Sequence, residues 1–391
     1  MRTVGMIAEF NPLHDGHAYA LAQARAQADA DVVVVVMAGN FVQRGEPAIV
    51  DKWARARAAL AAGADLVVEL PVTDAVQAAG PFAIGGVALL NALGVDALAF
   101  GTEAPALDYA QLAQKLASMP PSDDHFNDFT QTYATQLNRY YQETAGVSLT
   151  QPNLLLGVSY AQAVAASGGH LTLVPFGRRG AGHDAPQVLA HTEAPAASGS
   201  AIRAKLAAGA SVADLVPPVM AHGLQTARHQ SWDDFYPQLR YRLQTADLAQ
   251  LQTIYTMSEG LEYRLTQQAD AATDFDAFLA AVKSKRYTYA RMRRLALYTL
   301  LNLTDVTMAD AHAHRYVQVL GFTAAGRAYL HQVKKSLALP LITKVSLPML
   351  APGGLLYWQH RADRLITNLT HQAQNFGRRP LMPGAKEETN A

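Results

Sequence analysis

Cysteine is absent from the 391 residues. That excludes disulfides, thiolate metal sites, iron–sulfur clusters and a cysteine nucleophile. Charge is sparse, at 16% of residues, while half are hydrophobic, so the chain is not intrinsically disordered. No apolar run approaches the ~18–20 residues that cross a bilayer. The longest, Val32 to Ala38, has the length of a strand. The N-terminus opens on strand-like residues, Thr3 to Phe10, where a secretory signal would place a basic segment and an apolar core. These absences predict a soluble cytoplasmic protein with no membrane partner. Two common phosphate loops are missing as well. There is no Gly-Lys-Ser/Thr and no Gly-x-Gly-x-x-Gly after the first strand, which argues against a P-loop kinase or GTPase and against a nicotinamide dehydrogenase.

At about 150 residues per domain, the length accommodates two or three domains. The net charge of zero conceals a gradient: residues 1–200 carry 10 Lys and Arg against 18 Asp and Glu, and residues 201–391 carry 22 against 14. The gradient steepens over 277–391, with 16 basic and 5 acidic residues, which points to an anionic partner for the basic part. Arginine outnumbers lysine 23 to 9, which favours forked contacts to phosphates or carboxylates.

The first hundred residues alternate strand and helix signals. Strands are predicted at 4–9, 31–37, 65–70 and 96–100, with helices at 18–28, 50–62 and 75–93 between them. The Val32–Val36 run is β-branched on both faces, as in a parallel strand buried between helix layers. The fold class is therefore α/β, a doubly wound parallel sheet. A further strand is predicted at 170–175. From about residue 201 helical patterns dominate, at 233–252, 258–271, 274–284 and 289–303, and a mixed tail follows. We divide the chain into an α/β domain, 1–200, and a mostly helical basic domain, 201–391.

In an open parallel sheet, ligands bind outside the carboxyl ends of strands. The loop leaving the first strand carries His14-Asp15-Gly16-His17 at the entry to a helix. The i, i+3 spacing puts both imidazoles on one side of the first turn. Gly16 clears the approach to unpaired helical N–H groups, which suit a phosphate. The imidazoles can donate to charge developing on a phosphoryl group. Zinc is the other reading of two close histidines, but there is no His-Glu-x-x-His and no evident third ligand, so no metal ligands are assigned. Three more segments suit a nucleotide: Phe100-Gly-Thr-Glu103, Arg178-Arg179-Gly-Ala-Gly182-His183-Asp184, and the helix start Ser198-Gly-Ser-Ala-Ile-Arg203. All four segments fall at the same end of the inferred sheet. In the basic half, Lys283-Ser-Lys-Arg-Tyr-Thr-Tyr-Ala-Arg-Met-Arg-Arg294 mixes cations with tyrosines, which suits phosphate neutralisation with base stacking.

His14-x-Gly-His17 in this setting resembles the HIGH-type nucleotidyltransferase superfamily. The resemblance narrows to the bacterial tRNA(Met) cytidine acetate ligase family through residues 5–17, 37–47, Lys52-Trp53, Glu69-Leu-Pro71 and residues 100–103. Pro152-Asn153, Arg178, Gly180-Ala-Gly182, Ser200-Ala-Ile-Arg203 and Lys285-Arg-Tyr-Thr-Tyr289 continue it, and it thins after about residue 330. It departs at Gly177, where the family tends to have lysine.

The resemblance implies activation of acetate with ATP as acetyl-adenylate, then acetyl transfer to N4 of the wobble cytidine of elongator tRNA(Met). It implies an ATP site of Ile7, Ala8, Glu9, Phe10, Asn11, Pro12, Leu13, His14, Asp15, Gly16, His17, Ala18, Tyr19 and Ala20, with Gly101, Asn153 and Arg178. Catalysis is assigned to His14, His17 and Arg178, with Arg203 as a further phosphate clamp. Mg²⁺ is expected to accompany ATP. RNA contacts are assigned to Lys283, Lys285, Arg286, Tyr287, Tyr289, Arg291, Arg293 and Arg294, with no DNA partner. Two alternatives stay open: a small-molecule adenylyltransferase, which would leave the basic half unexplained, and a nucleotide-sensing RNA-binding protein without turnover.

Overall fold

The computed structural model describes residues 1–119, 131–168, 170–178, 197–258 and 260–383. Its centre is a seven-stranded sheet of β1 (Thr3–Ala8), β2 (Val32–Ala38), β3 (Leu66–Leu70), β4 (Ala97–Thr102), β5 (Thr172–Gly177), β6 (Val317–Phe322) and β7 (Leu341–Ile342). The spatial order is β5-β4-β1-β2-β3-β6-β7. The first five strands in that order run parallel, β6 is antiparallel to β3, and β7 is parallel to β6. The doubly wound parallel sheet expected from the sequence is present.

Helices α1 (Asp15–Gln27), α2 (Lys52–Ala61), α3 (Val72–Ala75) and α4 (Ala79–Leu93) follow the first three strands. Every residue of β2 is buried, and its side chains alternate between two cores. Val32, Val34 and Val36 pack with Val68 and Leu90 on one face. Val33, Val35 and Met37 pack with Val67 and Leu21 on the other. That two-sided burial is why the strand reads as an unbroken apolar run. Gly5 lets α4 lie close on β1, because a Cβ there would come within 2.4 Å of Leu90 Cδ2.

The chain builds β1, β2 and β3 outward in one direction and then crosses to place β4 on the other side of β1. This reversal leaves a crevice at the carboxyl ends of β1 and β4, the place where doubly wound sheets take ligands.

The helices after residue 230 form a second core around Trp232, Phe235, Phe275, Phe278, Leu295 and Tyr298. Phe41, Val72 and Val76 from the sheet side join that core, so the helical part is seated on the β2–α2 loop and on α3. The helix predicted over 233–252 is broken: Tyr236–Thr245 and Leu248–Gln252 are separate, with Ala246 extended between them. The mixed tail supplies β6, β7 and the helix Tyr357–Thr370.

A buried polar cluster locks this tail to the sheet. Lys52 Nζ, fully buried, lies 2.7 Å from carboxylate oxygens of both Glu69 and Asp363. Asn40 donates to Asp363 Oδ1 at 2.8 Å, and Asn375 donates to Asp363 Oδ2 at 2.9 Å. Gln359 donates to Glu69 and accepts from the Val72 backbone N–H. Burial, with Asp363 adding to it, pushes the Glu69 carboxyl up to about 7, although Lys52 pulls it the other way. Burial alone would lower Lys52, but its two carboxylate partners outweigh that and raise it.

Candidate active site

The crevice between β1 and β4 opens into a cavity of about 450 Å³. Its floor is apolar, formed by Met6, Phe82, Phe100, Leu156, Tyr160 and Phe176, and its polar groups converge from four segments.

The first segment is the loop from β1 into α1. His14 is the N-cap of α1, and its Nδ1 accepts from the Gly16 backbone N–H at 3.1 Å. His17 reciprocates, its Nδ1 accepting from the His14 backbone N–H at 3.3 Å. The two histidines thus form a capping box, a role that serine and glutamate usually fill. Their rings stack with centroids 3.8 Å apart, and Phe10 meets His17 edge-on. With Nδ1 engaged as an acceptor, the neutral His14 imidazole carries its proton on Nε2 and offers it as a donor. Neutrality is enforced. Burial, followed by the charge of Arg178, pushes His14 down to about 4. Burial, His14 and Arg178 lower His17 further, against a hydrogen bond to the Pro12 backbone.

Glu9 lines the same cavity and accepts from the Gln43 backbone N–H at 2.8 Å. Burial raises its carboxyl, and that bond only partly offsets the effect. The loop is clamped from beneath by Arg55. This fully buried guanidinium donates to the backbone carbonyls of Glu9, Ala38, Val50 and Gly39.

On the opposite wall, Glu103 organises the two remaining polar residues. Its Oε1 accepts from Asn153 Nδ2 at 2.6 Å and from Arg178 Nη1 at 3.2 Å, and its Oε2 accepts from the Leu154 backbone N–H. Burial would raise the Glu103 carboxyl, but the Asn153 bond and the Arg178 charge outweigh it and hold it low. Arg178 remains half-exposed at the cavity mouth, and Gly101 lies beneath it.

Twelve of the expected ATP-site residues line the cavity: Ile7, Ala8, Glu9, Phe10, His14, Gly16, His17, Tyr19, Ala20, Gly101, Asn153 and Arg178. Asn11, Pro12, Leu13, Asp15 and Ala18 do not. Leu13 is fully buried in the core, and Asn11 Oδ1 accepts from the Ile49 backbone N–H. Arg203, expected to clamp phosphate, instead donates to the Asn11 carbonyl at 2.7 Å and pairs with Glu46. Its position supports the loop and leaves the cavity to Arg178. Arg179, Gly180–Gly182, His183 and Asp184 lie outside the described residues. The sequence reading missed Tyr160 and Gln43 as wall residues and Glu103 as the shared anchor.

In the basic half the expected RNA residues divide. Lys285 and Tyr289 are exposed, and Lys283 sits over the Tyr289 ring. Tyr287 is buried, with the Arg291 guanidinium stacked 4.4 Å from its centroid. Arg293 pairs with Glu46 at 3.1 Å. Arg294 is turned toward the active-site side, its Nη1 donating to the Gln43 carbonyl.

The HIGH Nucleotidyl Transferase family model matches residues 1–379. A tRNA(Met) cytidine acetate ligase of Latilactobacillus sakei is 46% identical, over 100% of both chains. One of Lactiplantibacillus plantarum is 46% identical, over 97% of this chain and 98% of the other. This chain belongs to the tRNA(Met) cytidine acetate ligase family of HIGH nucleotidyl transferases. Among solved structures, Thermotoga maritima TmcAL in its apo form superposes with a TM-score of 0.84 at 28% identity, covering 98% of this chain and 99% of the other. The same protein bound with alpha-thio ATP superposes at 0.82, with the same identity and coverage. Membership in the ligase family agrees with a cavity built around two imidazoles at a helix N-terminus. Among the described residues, no helix is long and apolar enough to cross a membrane.

Proposed function

We propose that this chain activates acetate with ATP as acetyl-adenylate and transfers the acetyl group to N4 of the wobble cytidine of elongator tRNA(Met), in the cytoplasm. Full-length identity of 46% to a tRNA(Met) cytidine acetate ligase carries the reading. The cavity supplies chemistry that fits it. Carboxylates are poor acyl donors, and adenylation with loss of pyrophosphate provides a leaving group.

Catalysis at an α-phosphate is chiefly positioning and stabilisation of charge. His14, through its Nε2–H, and His17 beside it donate to phosphate oxygens as charge moves onto the departing pyrophosphate. Arg178, held by Glu103, takes the outer phosphates in a forked contact. Because both imidazoles are kept neutral, they act as hydrogen-bond donors and leave proton transfer to other groups. Mg²⁺ accompanying ATP would be held chiefly by the nucleotide's own phosphates and would supply charge neutralisation there.

Acetate-dependent exchange of pyrophosphate into ATP tests the first step without RNA. The wild type exchanges label only with acetate present. His17→Ala loses the exchange by about two orders of magnitude, the range of a transition-state donor, while its circular dichroism spectrum is unchanged. Exchange that ignores acetate would favour the small-molecule adenylyltransferase. No exchange from ATP-binding wild type would favour the sensor.

A further inference from the structure

A second cavity, of about 350 Å³, lies beside the first. It forms where α4 and the helix Tyr289–Leu301 both begin, so two helix N-termini face it through Ala78, Pro81 and Thr288. Three guanidiniums line it: Arg286, Arg291 and Arg294. None of its described lining residues is acidic, and neither Arg291 nor Arg294 meets a carboxylate among the described residues. Arg294 is partly buried, and that burial, with Arg291 adding to it, lowers its affinity for its proton. Partly buried guanidiniums held by a hydroxyl and a backbone carbonyl, with no carboxylate among the described residues, would gain from an anionic ligand.

The cavity also presents an aromatic surface. Tyr298 is pinned by its hydroxyl to the Val76 carbonyl. Tyr255 packs edge-on against it at 5.2 Å and remains partly exposed. The neighbouring Thr256 holds φ at +63°, a left-handed conformation that a β-branched residue adopts only under constraint.

Position adds the decisive clue. Arg294 lines the second cavity and donates to the carbonyl of Gln43, which lines the first. Pro81 lines the second and the adjoining Phe82 lines the first. The linings of the cationic, aromatic cavity and of the ATP-type site therefore adjoin at two points.

We propose that the second cavity holds one unstacked nucleotide of the RNA strand next to the reacting cytidine. Its phosphate lies on Arg291 and Arg294, and its base lies against Tyr255. The inference rests on the acetyl-transfer reading above. The volume is at the low end of ligand pockets, about 300 to 1,000 Å³, and suits a single nucleotide rather than a helix. Splaying out and stacking loop bases on aromatics is the usual route of single-strand RNA recognition. Anchoring the neighbour would fix where N4 of the cytidine meets the acetyl-adenylate.

The test uses an anticodon stem-loop RNA with a photoreactive thio-nucleotide on either side of the wobble cytidine. Irradiation with the wild type should attach one neighbour to the peptide carrying Tyr255 and Thr256, or to that carrying Arg286 and Arg291. Adducts confined to other peptides would overturn the proposal. In parallel, Tyr255→Leu and Arg291→Gln should raise the KM for the stem-loop at least tenfold, with acetate-dependent pyrophosphate exchange retained. An unchanged KM in both variants would also overturn it. Cytidine 5′-monophosphate alone, binding as tightly as the stem-loop, would assign the cavity to a free nucleotide and sink the RNA subsite. Absence of pyrophosphate exchange in the wild type is a separate failure. It strikes the acetate-activation reading, while the adduct positions still decide the cavity.

Discussion

His14 and His17 stack with ring centroids 3.8 Å apart, and each spends its Nδ1 on a backbone N–H of the same helical turn. The helix start and the phosphate site are thus one object, and substitutions there act on both.

The pH dependence of stability follows from that burial. His14 holds its proton with a pKa near 4 in the folded chain, against 6.5 for an unperturbed histidine. Between those values the unfolded chain binds more protons, so this group's contribution falls as pH drops from 6.5 toward 4 and is constant above 6.5. Glu69, raised to about 7, acts in the opposite sense over 4.5 to 7 and is common to wild type and variant. His14→Gln should therefore lose less stability than the wild type between pH 7 and 5 in urea unfolding. Parallel curves would contradict the buried, neutral imidazole.

Glu103 is a positioning residue, since it acts through Asn153 and Arg178. Glu103→Gln keeps the shape but removes the charge that holds Arg178 and offers an N–H where an acceptor is needed. The KM for ATP in pyrophosphate exchange should rise about tenfold, the scale of one charge-assisted hydrogen bond, and circular dichroism should be unaltered. An unchanged KM would mean that Arg178 finds its place without this carboxylate.

Lys52 sits between two buried carboxylates. Lys52→Met leaves Glu69 and Asp363 facing each other without a cation, and breaking a buried pair in this way costs about 3–5 kcal/mol. Thermal unfolding should show a large drop in Tm, and limited proteolysis should release the C-terminal helix Tyr357–Thr370 first. A Tm close to wild type would show that the network contributes specificity without stability.

Much of this fold is legible in the sequence because the parallel strands are buried on both faces and so appear as short β-branched runs. Val32–Ala38 is the plainest case. The active-site loop is legible too, since His-x-Gly-His at a helix start has a direct chemical reading. What stays hidden is long-range. Lys52 and Glu69 are visible as neighbours in motifs, but Asp363, their third partner, is 311 residues from Lys52. Strand β7 has two residues, too few for any periodicity. Glu103 is legible as part of a segment that suits a nucleotide, but its anchoring role is not, because its partners come from α-helix and strand ends 50 and 75 residues away. The basic segment misled in one respect. Charge reversal at Arg294, a natural test of RNA binding from sequence, would disturb the wall shared with Gln43.

Lys285 is the cleaner probe of the RNA face, being exposed and outside both cavities. Lys285→Glu should weaken stem-loop binding, and the slope of log affinity against log salt should fall by about 0.7, one single-strand phosphate contact. An unchanged slope would put the RNA path elsewhere on the basic half.

The most direct measurement is transfer of radiolabelled acetate by the purified wild type to elongator tRNA(Met), with and without ATP, beside a tRNA in which the wobble cytidine is replaced. Label that requires ATP and that cytidine, and that is recovered as N4-acetylcytidine after nuclease digestion, is the predicted result. Folded, ATP-binding protein that labels no tRNA, or labels the substituted tRNA equally, would contradict the account.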